Sequence, residues 1–519
     1  MTTPKASPVV LQGSPLTHTA VHAVALNDAT VEIAPETLAA VAECRAQLES
    51  TASGGATHYG INTGFGSFSR QRIAPGELRE LQANLIRSHA AGVGEPLPRP
   101  IVRGMMLVLA ASLARAKSGV RPELVTGIAG LLNAGLTPVV PESGSVGASG
   151  DLAPLAHVAL ALIGEGEFLA ADGARTPAAE ALRTAGLKPI ALDAKEGLAL
   201  INGTHLMCAR LALLRSRFEN LFPAALAAAA MSLDACRATD SFLDPRVFEA
   251  RNQPGPARVA ASMRSLLAGS QIIPSHKDDD DPRVQDPYSI RCAPYVLGAV
   301  LDCARSIWGR LDDELGAVTD NPLVLGRITE SGPNPRVDIV SAGNFHGMPV
   351  AIPLDTLAIA LAHIAGIAER RIDQMLSAHD AETRLRPFLS PKPGLHSGYM
   401  IVQYTAAALC NEMAGLATPS SVVNIPTSAG IEDYNSFGPR AAAKADRSMG
   451  LAERVVAIEL LCAAQAIEAH RPLRSGEGVE RAHAVVRGVV KPLHADRPPS
   501  PDIEAIAEQI AAGAFVGCV

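Results

Sequence analysis

The segment Pro141–His157, PESGSVGASGDLAPLAH, carries the residue types best suited to unusual chemistry. Small residues dominate it, so backbone atoms can approach one another without side-chain obstruction. In Ala148–Ser149–Gly150 the Gly150 amide nitrogen can attack the Ala148 carbonyl carbon and close a five-membered ring. Loss of two waters, one taking the Ser149 hydroxyl, leaves an exocyclic methylene on an imidazolone. That methylene is a strong electrophile, which no unmodified side chain supplies. Taken alone, the tripeptide also suits a plain glycine-rich turn with a helix starting at Asp151. A phosphate-cradling loop fits less well, because the Lys-Ser/Thr ending is missing.

Helices must position this segment. Much of the chain is rich in Ala, Leu, Glu and Arg, residues that lose least on entering a helix. In Leu354–Leu376, apolar residues recur at Leu357, Leu361, Ile364, Ala368 and Ile372, a helical period. The other face also carries Ile359, Ala360 and Ile367, so this helix is expected inside a bundle. Similar patterns predict helices over Ile101–Lys117, Thr204–Thr239, Val296–Leu315, Met400–Gly415 and Ala441–His470. Convincing alternating strands are few, and Thr30–Ile33 is a candidate for one short strand. Glycine- and proline-bearing segments interrupt the helices at His58–Phe68, Pro138–Gly150, Ser275–Ser289 and Pro419–Phe437. The fold class is therefore mainly α, a long-helix bundle with a smaller loop-rich N-terminal part. The expected organisation is an arm over 1–21, loosely ordered to about Thr19, then a tripeptide-bearing part over 22–205. A central bundle with C-terminal helices follows over 206–519, all forming one catalytic unit.

Composition excludes several function classes. The chain has 519 residues, is 48% hydrophobic and carries a net charge of −7, with Lys and Arg scattered among acids. A nucleic-acid partner needs clustered cations or aromatic stacking platforms, and aromatic residues make up only 3%. The eight cysteines form no CxxC pair, so reduced, mostly buried thiols are expected rather than a zinc or disulfide framework. The N-terminus has no apolar stretch of signal-peptide type, and no membrane span is expected, so a cytoplasmic location follows. The acidic run Asp278–Asp281 reads as a solvated loop, and no metal or dissociable cofactor is expected.

The longer string GSVGASGDLAPLAH resembles the signature of the histidine and aromatic amino-acid ammonia-lyase family. That family uses the cyclised tripeptide, 4-methylidene-imidazol-5-one (MIO), as its prosthetic group. The resemblance runs from about His22 to beyond Asp502. It includes HYGINTGFG at His58–Gly66, ALINGT at Ala199–Thr204 and VQDPYSIRC at Val284–Cys292. AVTDNPL at Ala317–Leu323, GNFHG at Gly343–Gly347 and SGYMIVQYTAAAL at Ser397–Leu409 follow in the family's order. It implies a long-helix bundle, a homotetramer and active sites built from more than one subunit. The fumarase and argininosuccinate-lyase group, also helical tetramers, has a Gly-Ser-Ser-x-Met-Pro loop with no counterpart here.

Eliminating ammonia from an α-amino acid requires activating a poor leaving group and removing a weakly acidic β-hydrogen. The resemblance assigns the first task to MIO, formed from Ala148, Ser149 and Gly150, and the second to Tyr59 as base in an environment that favours its phenolate. It makes Arg291 the clamp for the substrate carboxylate, a task suited to a planar guanidinium fork. Tyr288 and Gln285 match positions lining the site, with Tyr288 counted among the catalytic residues. Asn202 matches an asparagine near the substrate and the MIO carbonyl, and Phe345 packs beside the prosthetic ring.

For the substrate, Ser88–His89 in NLIRSHAAGVG matches histidine lyases, whereas phenylalanine lyases carry Phe-Leu and tyrosine lyases His-Leu. His89 can hydrogen-bond an imidazole, and Glu432 in TSAGIEDYNSFG resembles a glutamate that handles that ring. The resemblance thus implies conversion of L-histidine to urocanate and ammonia. An aminomutase, or a lyase for another imidazole or aromatic amino acid, is the alternative, and a silent structural or binding relative a more distant one. Gly430–Ile431, Tyr434, Asn435, Ala342 and His205 depart from the commonest pattern and are expected to reshape the imidazole end of the pocket.

Overall fold

The computed structural model describes residues 7–52, 58–64, 66, 70–170, 172–277, 283–326 and 337–519. The acidic run 278–281 and part of the 58–68 loop lie outside the described residues.

The predicted helices form with small shifts at their ends. They span Arg99–Leu113, His205–Ala235, Ala293–Glu314, Met348–Ser377, Met400–Leu416 and Gly438–Ile467. The His205–Ala235 helix contains the run Ala224–Ala230, buried throughout, where small side chains let neighbouring backbone come close. In Met348–Ser377 the predicted stripe is buried, with Leu357, Leu361, Ile364, Ala368 and Ile372 fully covered. Its opposite side departs from expectation: Ile352 and Ile359 are 54% and 38% exposed. This helix is long and apolar enough to cross a membrane by length and composition. It nevertheless carries Asp355, Glu369 and Arg371 buried within the protein, as a core helix does when those groups find partners.

Strands are short. Val31–Ile33 forms as predicted, and its partner corrects the N-terminal expectation: Val9–Leu11 pairs with it in parallel, Val9 opposite Val31. The following helix, His18–Leu26, buries Val21, Val24 and Ala25 and is capped by the Thr17 hydroxyl. The chain is therefore tied into the structure well before Thr19.

The residues pack into two compact units that are discontinuous in sequence. The first comprises Met1–Leu213, Gly309–Leu354 and Ser420–Ala443, and the second Leu214–Trp308, Asp355–Pro419 and Lys444–Val519. A contiguous division at 21/22 and 205/206 does not describe them. All the described strand pairs belong to the first unit. In the second unit the Arg371 guanidinium grips Glu459 through two hydrogen bonds of 2.5 and 2.8 Å, and Ser232 donates to the same carboxylate at 2.7 Å. Both charged groups are at most 1% exposed. Their mutual neutralisation is what permits that burial.

Candidate active site

The Ala148–Ser149–Gly150 backbone lies in the first unit, in a cradle formed by Gly203. The Gly203 amide donates to the Ser149 carbonyl at 3.2 Å, and the Asp151 amide donates to the Gly203 carbonyl at 2.8 Å. Gly150 has φ +76°, and a Cβ there would sit 2.1 Å from the Gly203 carbonyl oxygen. Gly203 has φ +119°, and its own Cβ would meet the Thr319 hydroxyl at 2.3 Å. Both positions thus exclude any side chain. The Ala153–Leu162 helix starts just beyond, and no side chain caps its first turn.

Asp151 is fully buried and accepts from the Leu206 amide at 2.6 Å, at the start of the His205–Ala235 helix. Burial pushes its pKa up to about 8, against the lowering effect of the Leu206 and Met207 amides. Thr204 is tied to Glu314 by a short hydrogen bond between hydroxyl and carboxyl. Asn202 donates through Nδ2 to the Asn321 carbonyl at 2.9 Å. Residues 202–204 are thereby strapped to the segment 314–321.

In front of this cradle lies a cavity of about 600 Å³. Tyr59, His89, Ser149, Asn202 and Glu432 all line it. A smaller lobe of about 400 Å³ shares Tyr59, Ser149, Asn202 and Glu432 and adds Ala148, Phe345, His346 and Tyr434. His89 ends the Leu78–His89 helix, and its Nδ1 lies 2.9 Å from the Leu85 carbonyl. A carbonyl only accepts, so Nδ1 carries the proton and Nε2 is left as an acceptor. Burial lowers the His89 pKa, opposed by the Leu85 carbonyl and Glu432, so the ring is neutral. Glu432 accepts from the Thr427 hydroxyl at 3.1 Å and from the Ser149 hydroxyl at 3.4 Å.

Tyr59 Oη accepts from the Gly66 amide at 3.3 Å. Burial raises its pKa, the Gly66 amide opposes this, and Glu432 adds to the rise. The environment expected to favour a phenolate is therefore not supplied by the described residues of this unit.

Gln285, Tyr288 and Arg291 line neither lobe. They border a cavity of about 820 Å³ in the second unit, with Arg283, Gln374, His379 and Asp380. The Arg291 guanidinium carbon stands 4.9 Å from the centre of the Tyr288 ring, a cation–π arrangement. Tyr288 is 72% exposed, while Arg291 Nε is buried and has no hydrogen-bond partner among the described residues.

The departures also find places. Ala342, Ile431 and Tyr434 line the smaller lobe rather than the His89 lobe. Asn435 is buried and donates to the Ile425 carbonyl at 2.5 Å. Gly430 has φ +85° in a turn where Ser428 and Ala429 are also left-handed. His205 is buried, and that burial lowers its pKa to about 3. Ala342, Ile431 and Tyr434 thus border the lobe that Glu432 also lines, whereas Gly430, Asn435 and His205 line neither lobe. Sequence reading passed over Gly203 and Asn321 as site residues, although both stand in blocks it had singled out. It also passed over Asn84, at the head of the NLIRSHAAGVG block, and Gln71, which stands in no block it quoted; both line the His89 lobe.

Among the described residues no group of three or more His, Cys, Asp or Glu side chains is arranged to hold a metal ion. The family model for aromatic amino acid lyases matches residues 16–488. Histidine ammonia-lyase from Anaeromyxobacter sp. (strain K) is 47% identical over 97% of this chain and 99% of its own length. The crystal structure of histidine ammonia-lyase from Trypanosoma cruzi is 40% identical, with a TM-score of 0.88 over 98% of this chain and 94% of that one. Tyrosine aminomutase from Streptomyces globisporus is 34% identical, with a TM-score of 0.91 over 98% of both chains. Family match, near-complete coverage and a glycine-cradled Ala-Ser-Gly segment agree: the chain belongs to the aromatic amino acid lyase family.

Proposed function

We propose that this chain is a carbon–nitrogen lyase that eliminates ammonia from L-histidine to give urocanate, using MIO made from Ala148, Ser149 and Gly150. The observation carrying the substrate is one cavity lined by Ser149, His89 and Glu432 together. A neutral His89 with a bare Nε2 accepts from one N–H of the substrate ring, and the Glu432 carboxylate accepts from the other N–H when that ring is protonated to the imidazolium. A phenyl ring would leave both groups without a partner, at a cost of about 1–3 kcal/mol for each unsatisfied group.

The residues around the tripeptide fit the prosthetic group. The Gly203 cradle admits only backbone at Gly150, and its amide meets the Ser149 carbonyl oxygen, which becomes the ring carbonyl on cyclisation. Once formed, MIO supplies an electron-poor alkene that captures an amine and makes it a better leaving group. The Gly203 N–H is placed to favour negative charge on that carbonyl oxygen. Asn202, held by Asn321, borders both lobes and keeps the substrate's amine end in register. Phe345 walls the smaller lobe and limits water there. Tyr59 Oη is the base for the β-hydrogen, and it needs a neighbouring donor or cation to lower its pKa.

That need, and the location of Gln285, Tyr288 and Arg291, support a shared site in a homotetramer. Tyr288 and Arg291 of another copy would supply the carboxylate clamp and the missing positive charge. Exposed apolar side chains on the long helices support such an assembly: Ile359 on one, and Ile401 and Tyr404 on Met400–Leu416, 58% and 61% exposed. The chain's eight cysteines are all unpaired, in keeping with a reducing, cytoplasmic setting.

The test is intact-mass and near-ultraviolet measurement of the purified protein together with product identification. The wild-type chain should lack the mass of two waters and absorb as MIO, and Ser149→Ala should lose the absorbance and nearly all turnover. Full activity in Ser149→Ala would refute the mechanism. The likeness to a tyrosine aminomutase supports a second reading, in which ammonia returns to the β-carbon. A β-amino acid in place of urocanate would establish that outcome instead.

A further inference from the structure

Glu432 sits on a loop with several internal fastenings, to which Gly430, Tyr434 and Asn435, three of the positions that depart from the family's common pattern, contribute. Thr427 and Glu432 pair backbone to backbone, the Thr427 amide donating to the Glu432 carbonyl at 2.9 Å. Ser428, Ala429 and Gly430 close the tip with φ of +50°, +53° and +85°. Three consecutive left-handed residues favour glycine at the last of them, which accounts for Gly430. Below the tip, Asn424 Nδ2 donates to the Asp433 carbonyl at 2.6 Å, and Asn424 Oδ1 accepts from the Asn435 amide at 2.8 Å. Asn435 Nδ2 donates in turn to the Ile425 carbonyl.

The loop is anchored at its base on two sides. The Phe437 amide donates to the Val146 carbonyl at 3.0 Å, and the Ser436 hydroxyl to the Gly147 carbonyl at 3.1 Å. These bonds tie it directly to the segment that carries Ala148–Ser149–Gly150. On the other side, His346 Nε2 donates to the Tyr434 carbonyl at 3.1 Å, and its Nδ1 accepts from the Met348 amide at 3.3 Å. The His346 and Tyr434 rings stack with centroids 6.4 Å apart at 26°.

We propose that Asn424, Asn435 and His346 are positioning residues that hold Glu432 at the ring end of the cavity and so set selectivity for an imidazole. The inference rests on the histidine reading. The asparagine pair does locally what packing from a larger neighbour would otherwise do: it removes the freedom of a loop whose tip has open space beside Gly430. A carboxylate on an unfastened loop would spend much of its time away from the substrate ring, and every misplaced conformer lowers the rate.

A double-mutant cycle on the full chain tests it. The parameter kcat/KM for L-histidine is measured in wild type, Glu432→Gln, Asn424→Ala and the double variant, with MIO absorbance as the control for an intact cradle. Asn424→Ala, which removes two hydrogen bonds, should lower kcat/KM about 10-fold with absorbance retained. In the Glu432→Gln background the same change should cost less than about twofold, because Asn424 acts through Glu432. A full loss in both backgrounds, or no loss in wild type, overturns the proposal. Should Asn424→Ala fail to fold, His346→Leu carries the same cycle. His346→Gln should then restore turnover, since its amide can still donate to the Tyr434 carbonyl. If Glu432→Gln itself leaves histidine turnover unchanged, the histidine reading falls and the loop's purpose with it. If Glu432→Gln is damaged while Asn424→Ala is intact, the positioning role alone is refuted.

Discussion

Replacing His89 by leucine removes one atom pair with a defined role. The Leu85 carbonyl holds Nδ1 at 2.9 Å and so presents Nε2 as an acceptor within the 600 Å³ cavity. Leucine is close in size, so the lobe keeps its volume and loses the acceptor. An imidazole N–H entering that lobe then finds no partner and is also cut off from water. The cost of a buried unsatisfied donor is about 1–3 kcal/mol, which corresponds to a roughly 5- to 150-fold fall in kcat/KM for L-histidine. A phenyl substrate has no such N–H and should be unaffected or slightly favoured. The assay is urocanate release under steady-state conditions, run beside L-phenylalanine as the comparison, with MIO absorbance confirming that the tripeptide is unaltered. Burial holds the His89 pKa below its ordinary 6.5, so the acceptor survives into mildly acidic solution and is lost to protonation only below that value. Equal losses on both substrates, or an unchanged rate with histidine, would refute the assignment of Nε2 to the substrate ring.

Three further outcomes follow from the structure. Gly203→Ala forces a Cβ within 2.3 Å of the Thr319 hydroxyl at φ +119°, so it should destabilise the fold by about 2–5 kcal/mol and abolish MIO absorbance. Wild-type absorbance in that variant would mean the cradle is not needed for cyclisation. Arg371→Ala leaves the buried Glu459 carboxyl with the Ser232 hydroxyl as its remaining hydrogen-bond partner among the described residues, and should cost about 3–5 kcal/mol in urea denaturation. The apolar double variant Arg371→Met with Glu459→Leu should recover most of that loss, and a milder effect of the single change than of the double would contradict the account. His205, held near pKa 3 by burial, stays neutral in the fold while the unfolded chain takes up a proton below about 6.5. The unfolded state then binds more protons, so stability is full above 6.5 and falls as pH drops toward 3. His205→Gln should flatten that acid limb, and denaturation midpoints that fall in parallel with the wild type would show that His205 does not cause it.

Sequence alone settled the features whose physics is local. Helix positions followed from side-chain periodicity, because one buried stripe recurs every three to four residues wherever a helix packs. The tripeptide proposed to cyclise was legible because that reaction would involve three consecutive residues, and the need for glycine within it is a property of backbone reach. His89 and Glu432 were found as candidates by resemblance to the lyase family, since neither stands in a pattern that physical reasoning alone would single out.

Tertiary structure decided what depends on residues distant along the chain. Only the tertiary arrangement of the Leu78–His89 helix and the Glu432 loop places those two side chains around one cavity, and only the Leu85 carbonyl fixes which imidazole nitrogen faces it. The pairing of Val9–Leu11 with Val31–Ile33 was invisible because a parallel partner leaves no turn signature between the strands. Among the departures, Tyr434 lines the smaller lobe, while Gly430 and Asn435 shape and fasten the loop that carries Glu432. Gly203 gained its role from the bond its amide makes to Ser149, a contact that hydrophobic periodicity does not encode. Gln285, Tyr288 and Arg291 fall in a second cavity because a sequence motif specifies side-chain chemistry but not which surface the fold gives it to.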